Sequence, residues 1–204
     1  MQLVLATNNR DKVTEIKHLL QDLPITILTK DDFLEFPDPW ETGDTLEQNA
    51  RLKAKEISEF TGLPALADDS GLEVDALNGA PGVYSSRYAG LDATYRDNYN
   101  KLLKEMVKVP HGKRTARFRC VIAIAWTPSE LETVEGVAEG FISEDVAGDK
   151  GFGYDPVFYF PPLKKRFSEL TLVEKNRVSH RGLALQKVHE LLVTRPSRTA
   201  GLQT

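Results

Sequence analysis

The sequence has one cysteine, Cys120, and therefore no partner for an internal disulfide, which fits a reducing compartment. No apolar run approaches the roughly 18 to 20 residues of a membrane-spanning helix, which argues against a membrane partner. Neither sign of charge dominates. A net charge of -4 gives no bulk attraction to nucleic acid or to an anionic membrane. Internal repeats and low-complexity segments are missing as well. Met1 to Ala6 carries no basic flank and runs straight into structure, so no signal peptide is expected and a cytoplasmic location is. What remains is an ordinary globular balance, 41% hydrophobic and 27% charged over 204 residues. That length suits one sizeable domain over residues 1–193, followed by a polar, frayed tail over 194–204.

The stretch that organises the chain is Leu66-Ala67-Asp68-Asp69-Ser70-Gly71. An apolar run leading into Ser-Gly reads as a strand end and a polar turn. Two adjacent carboxylates repel, and a divalent cation is the usual compensation. In extended backbone the two point to opposite faces, so one metal would take one of them directly.

Leu3 to Ala6 reads as a buried strand, followed by a polar turn and a helix with apolar residues at Val13, Ile16, Leu19 and Leu20. Asn8 or Asn9 is a fitting N-cap. Such a turn places backbone N–H groups and a helix dipole where a phosphate can bind. Lys12, a cation in the first turn, is best explained by an anion beside it. The glycines and GK[ST] of a P-loop are missing. Ile25 to Leu28 is a second strand, and residues 29–43 form an acidic, proline-containing loop. Asp44 and Glu47 make a capping-box pattern for a long helix with the stripe Leu46, Ala50, Ala54, Ile57 and Phe60. Asn49 and Lys53 share a face beside that stripe, where a solvated edge is the plain reading.

Gly71 to Leu77 alternates as a strand, and Asn78-Gly79 and Pro81-Gly82 mark turns. A polar, aromatic loop over 84–90 precedes an amphipathic helix over 94–107. Two long strands, Thr115 to Trp126 and Glu132 to Phe141, flank a hairpin turn at Pro128-Ser129-Glu130. Lys113, Arg114, Arg117 and Arg119 form a basic cluster with Phe118 among them, but the negative net charge disfavours nucleic acid as partner. Gly151 to Pro156 is a glycine-rich aromatic loop, and glycines beside Phe152 and Tyr154 leave room for a flat ligand. Thr171 and Glu174 form another capping box, on a helix carrying Lys175. Ser179 caps a final helix with His180 and Arg181 in its first turn. Cations at the starts of two helices, Lys12 and Arg181, point to an anionic ligand.

Taken in order, these motifs resemble the inosine triphosphate pyrophosphatase (Ham1-like) family. The anchors are Leu5-Ala6-Thr7-Asn8-Asn9 with Lys12, Glu41-Thr42-Gly43 with Thr45, Asn49-Ala50 and Lys53-Ala54. The others are Ala67 to Leu72, Gly79 to Ser85, Gly153 to Pro156 and Ser179 to Gly182. One departure is Asp11, where many members have glycine. The resemblance implies an elongated α/β fold, a long mixed β-sheet flanked by helices, with two lobes and the site in the cleft between them. It implies Mg²⁺-aided hydrolysis of ITP, dITP or XTP to monophosphate and pyrophosphate, in a homodimer. A related alternative is a Maf-like pyrophosphatase acting on modified pyrimidine triphosphates.

Carried onto this chain, the resemblance makes Thr7, Asn9, Lys12 and Lys53 the triphosphate holders, with Asn8, Arg10 and Asp11 completing the loop. Glu41 and Asp69 would bind Mg²⁺, with Asp68 as a further ligand or support. Asp69 would be the general base and Ser70 would touch substrate. Phe152 would stack on the base, Gly153, Tyr154 and Asp155 would complete the pocket, and Lys175, His180 and Arg181 would reach the base edge as buried donors.

Overall fold

The computed structural model describes residues 1–195. Its strands are β1 (Gln2–Leu5), β2 (Thr26–Leu28), β3 (Ala65–Val74), β4 (Thr115–Thr127), β5 (Glu130–Ile142), β6 (Phe158–Phe160) and β7 (Lys165–Arg166). They form one seven-stranded sheet in the order β2-β1-β3-β4-β5-β6-β7. β1 lies parallel to both β2 and β3, and every later pairing is antiparallel, so the sheet is mixed. The helices are α1 (Arg10–Leu19), α2 (Leu46–Thr61), α3 (Tyr95–Glu105), α4 (Leu172–Val178) and α5 (His180–Thr194).

The period of two along β3 decides where the site forms. Leu66 packs with Ile16, Ile122 and Leu185, in the core shared by α1 and α5. Further along the same face, Leu72 and Val74 join a second core with Phe118, Phe158, Phe167 and Leu102 of α3. Asp68 and Ser70 fall between these two cores. The alternate residues Ala65 and Ala67 pack against Ala50, Ala54 and Ile57 of α2, where alanines on both elements let the helix lie close. Asp69 follows on that face. Each side of β3 thus changes from apolar to polar at the same level, and a cleft opens there.

Several local features differ from expectation. β3 does not end at the acid pair but continues unbroken for 10 residues through Ser70-Gly71. Gly71 is required by close approach and not by a turn, because a Cβ there would lie 2.5 Å from the carbonyl oxygen of Gly82. α2 is capped by Thr45 and not Asp44. The Thr45 side chain accepts from the Gln48 amide at 3.1 Å, and Gln48 Oε1 accepts from the Asp44 amide at 2.7 Å. Phe60 is half exposed, so the stripe ends at Ile57. The caps at Thr171 and Ser179 form as expected. α5 extends through Thr194, and Arg195 is held over Trp126 and paired with Glu130 and Glu132. The helix therefore passes the expected tail boundary, and 196–204 lie outside the described residues.

The basic cluster of β4 is spent internally. Arg114 is buried and donates to backbone carbonyls of Met106, Ile142 and Ser143. Arg117 and Arg119 pair with Glu73, Asp75, Glu135 and Glu139. No described helix is long and apolar enough to cross a membrane.

Candidate active site

A cavity of about 600 Å³ opens where β3 turns polar, within the size range of small-molecule sites. Its walls come from the β1–α1 loop, the 36–41 segment, α2, β3, the first turn of α3, the 152–155 loop, and the α4–α5 junction. Distant parts of the chain converge there because the central strands bring both apolar cores to its edges.

On the α2 face, Asp69 Oδ1 accepts from Lys53 Nζ at 3.0 Å and Oδ2 accepts from Asn49 Nδ2 at 3.2 Å. Lys53 also donates to Glu41 Oε1 at 2.9 Å and to the Asp68 carbonyl at 2.8 Å. Glu41 takes a second cation, Arg87, at 3.2 Å. Asn49 and Lys53 are therefore not a solvated edge: both are buried. Burial pushes the Asp69 carboxyl up, Lys53 pulls against it, and the charge of Glu41 adds to burial, leaving Asp69 above the usual aspartate range. Lys53 is held above its ordinary value, since Asp69 and Glu41 outweigh its burial. Burial also pushes Glu41 up, but Lys53 outweighs this and holds it low.

On the α1/α5 face, Asp68 is fully enclosed between Lys12 at 3.1 Å and Arg181 Nε at 3.0 Å, and accepts from Ser70 Oγ at 3.2 Å. Burial favours its neutral form, but Lys12, Arg181 and Lys53 outweigh burial and hold it far below the ordinary value. Arg181 continues to Glu15 at 2.5 Å, Glu15 to Lys175 at 3.0 Å, and Lys175 to Asp155 at 2.6 Å. Asp155 then accepts from the Phe152 amide at 2.9 Å. A buried ion chain thus runs from the acid pair to the aromatic loop. Lys175 Nζ lies 4.7 Å and the Arg181 guanidinium 5.4 Å from the Phe152 ring centre.

Most of the expected residues meet here. Thr7, Asn8, Asn9, Lys12, Glu41, Lys53, Asp69, Ser70, Phe152, Gly153, Tyr154, Asp155, Lys175, His180 and Arg181 all line the cavity. Arg10 and Asp11 do not: both are exposed and outside its wall. Asp68 does not line it either: it is buried behind the wall, as the counter-ion of Lys12 and Arg181. Asn9 is the cap of α1, and its Oδ1 already accepts from the Asp11 and Lys12 amides, so those two N–H groups are not free for a phosphate. Tyr154 is core, with its hydroxyl donating to the Ser85 carbonyl. Arg181 and Lys175 are committed to carboxylates. His180 is the one of the three with no carboxylate partner: its ring stacks on Phe118 at 4.6 Å, and its Nδ1 is enclosed without a hydrogen-bond partner. Burial, with Arg181 and Lys175 adding, keeps its imidazole neutral.

Sequence reasoning missed Glu15, Arg87 and Tyr95. Glu15 carried a signal, since it lies three residues after Lys12 and four before Leu19 on one helical face. Arg87 carried none beyond its place in a polar loop.

Among the described residues no group of three or more His, Cys, Asp and Glu gathers to hold a metal unaided. Glu41 and Asp69 nevertheless fit a hard cation. They are oxygen donors, both line the cavity, and each is bound to the same Lys53.

Comparison with known proteins gives the family and the fold. The Ham1 family model matches residues 3–191. A dITP/XTP pyrophosphatase of Desulforamulus reducens is 51% identical over 192 residues, covering 94% of this chain and 96% of that protein. One from Geobacter sulfurreducens is 49% identical, covering 92% and 96%. Among solved structures, a HAM1 protein from Coxiella burnetii superposes with a TM-score of 0.89 at 43% identity, covering 96% of this chain and 100% of that one. The Staphylococcus aureus Ham1 protein gives 0.85 at 36%, covering 95% and 98%.

Proposed function

The chain belongs to the Ham1 family, and from that premise we propose that it hydrolyses deaminated purine nucleoside triphosphates, dITP and XTP among them, to the monophosphate and pyrophosphate. The relatives named for that activity support the substrate class. The observation that carries the reaction type is Asp69, a carboxylate at the cavity wall, aligned by Lys53 and Asn49 and shifted toward the range of a general base.

Lys12 and Lys53 hold the triphosphate as point charges. Asp69 takes a proton from a water aimed at the α-phosphorus, and pyrophosphate departs on the lysine side. The cations Lys12, Lys53, Arg87, Lys175 and Arg181 are equal in number to the acids Glu15, Glu41, Asp68, Asp69 and Asp155 that pair with them. The protein alone therefore leaves the charge of a triphosphate unbalanced. Glu41 and Asp69 would hold Mg²⁺, which favours few carboxylates together with substrate phosphates. When bound, it supplies charge neutralisation at the phosphoryl oxygens. Phe152 offers its ring to the base, and the neutral His180 ring at the cavity wall offers the base edge a hydrogen-bond partner.

The reading extends to a cytoplasmic homodimer, for which sedimentation is the direct measurement. Its central test is turnover of dITP, XTP, dGTP, dATP and dUTP in Mg²⁺ with the phosphate product identified. Pyrophosphate from dITP and XTP, with little from the others, is expected. Orthophosphate as product would overturn the reaction, and a pyrimidine preference would restore the Maf-like reading.

A further inference from the structure

Tyr95 opens α3 and crosses the cleft to the β1–α1 loop. Its hydroxyl accepts from Asn9 Nδ2 at 3.1 Å and donates to Asp11 Oδ2 at 3.4 Å. Its ring meets Phe152, with centres 5.8 Å apart and planes tilted by 41°. One side chain therefore touches the cap residue of the phosphate loop at one end and the base-stacking ring at the other, while lining the cavity between them. In a nucleoside triphosphate, the group that joins base to phosphates is the pentose.

We propose that Tyr95 is a substrate-positioning residue: its ring covers the pentose, and its hydroxyl fixes Asn9 so that the phosphate loop keeps its shape. The proposal rests on the nucleotide reading above and adds a residue to it. Asn9 is held at both ends, since Oδ1 caps α1 and Nδ2 meets Tyr95. Asp11 gains a role consistent with lying outside the cavity wall: it accepts a hydrogen bond from the Tyr95 hydroxyl and keeps its own charge turned from the phosphates.

The two halves of the proposal separate by ligand. Inorganic tripolyphosphate has no sugar and reports only the loop, whereas dITP reports loop and ring together. In calorimetric titrations in EDTA, Tyr95→Phe should weaken both ligands about threefold to tenfold, through loss of the hydroxyl's hydrogen bonds to Asn9 and Asp11. Tyr95→Ala should weaken tripolyphosphate by the same factor and dITP by a further factor of about ten, through loss of the apolar ring surface. In steady state with Mg²⁺, the Phe variant should raise KM for dITP and leave kcat within about twofold, a split that a general loss of structure does not produce. Equal losses for both ligands in the Ala variant overturn the pentose contact. Unchanged affinities in the Phe variant overturn the hydroxyl contact. If wild-type protein binds dITP but releases no pyrophosphate, the hydrolytic reading fails alone, and the two titrations still decide Tyr95.

Discussion

Asp68 and Asp69 are neighbours in sequence and identical in chemistry, yet the two faces of β3 give them opposite surroundings. Asp68 lies between two apolar cores, shut from the cavity and ringed by Lys12 and Arg181. Asp69 lies on the α2 face, reaches the cavity, and looks toward a second carboxylate, Glu41, across Lys53. One acid is held firmly ionised and the other is drawn up toward usefulness. Strand alternation alone creates this division. What separates them is access: the enclosed acid organises cations, while the one at the cavity wall is placed where water can reach it.

The largest test of that division is Asp69→Asn. Pyrophosphate release from dITP should fall by about 10² to 10⁴, the usual contribution of a general base. The variant should fold, because Lys53 keeps Glu41 as a counter-ion and the amide still accepts from Lys53. Asp68→Asn should do the reverse, removing stability first and activity as a consequence. Leaving Arg181 short of its counter-ion in a buried site should cost about 3 to 5 kcal/mol by urea unfolding. Asp68 contributes stability above its unfolded value of 3.8, lost as pH falls toward its depressed folded value. Wild-type protein should therefore lose stability below about pH 4 more steeply than Asp68→Asn. Similar profiles for the two variants would erase the distinction between the faces.

Much of this was legible in residue order. Alternation and caps located β1, β4, β5 and the starts of α4 and α5, because each is a local property of a few residues. The family motifs brought Lys12, Lys53, Asp69 and His180 to one cavity. What residue order did not reveal was who pairs with whom. Arg181 and Lys175 read as donors waiting for a ligand, but Glu15, 166 and 160 residues away, takes both. Gly71 read as a turn because glycine has two unrelated uses, positive φ and close approach, and only the neighbouring backbone of Gly82 says which. Capping failed by one residue at α2 because Asp44-Thr45 offers two suitable caps in succession.

A smaller effect sharpens the comparison from the enclosed side. α5 reaches Asp68 only because β5 has glycine beneath its first turn. A Cβ at Gly136 would stand 2.1 Å from the His180 carbonyl oxygen and 2.5 Å from the Ala184 amide. Gly136→Ala should push the helix outward and cost about 1 to 3 kcal/mol by thermal or urea unfolding. It should also weaken dITP binding through His180, with little change in the environment of Asp69. An alanine variant as stable as wild type would mean that α5 is not seated as tightly as the Asp68 face requires.

The smallest expected effect concerns Cys120, which pairs with Ser70 in the β3–β4 register and has its Sγ 4.0 Å from Asp68 Oδ2. Burial pushes the thiol up to about 12, and the charge of Asp68 adds to that. The thiol is therefore a packed apolar group with a weak proton donor, and not a nucleophile. Native protein should give almost no reaction with DTNB at pH 8, and full reaction in urea. A native thiol that reacts readily would mean that water reaches the Asp68 side of β3 as it reaches the Asp69 side. The two carboxylates would then lose the difference in environment from which their different roles follow.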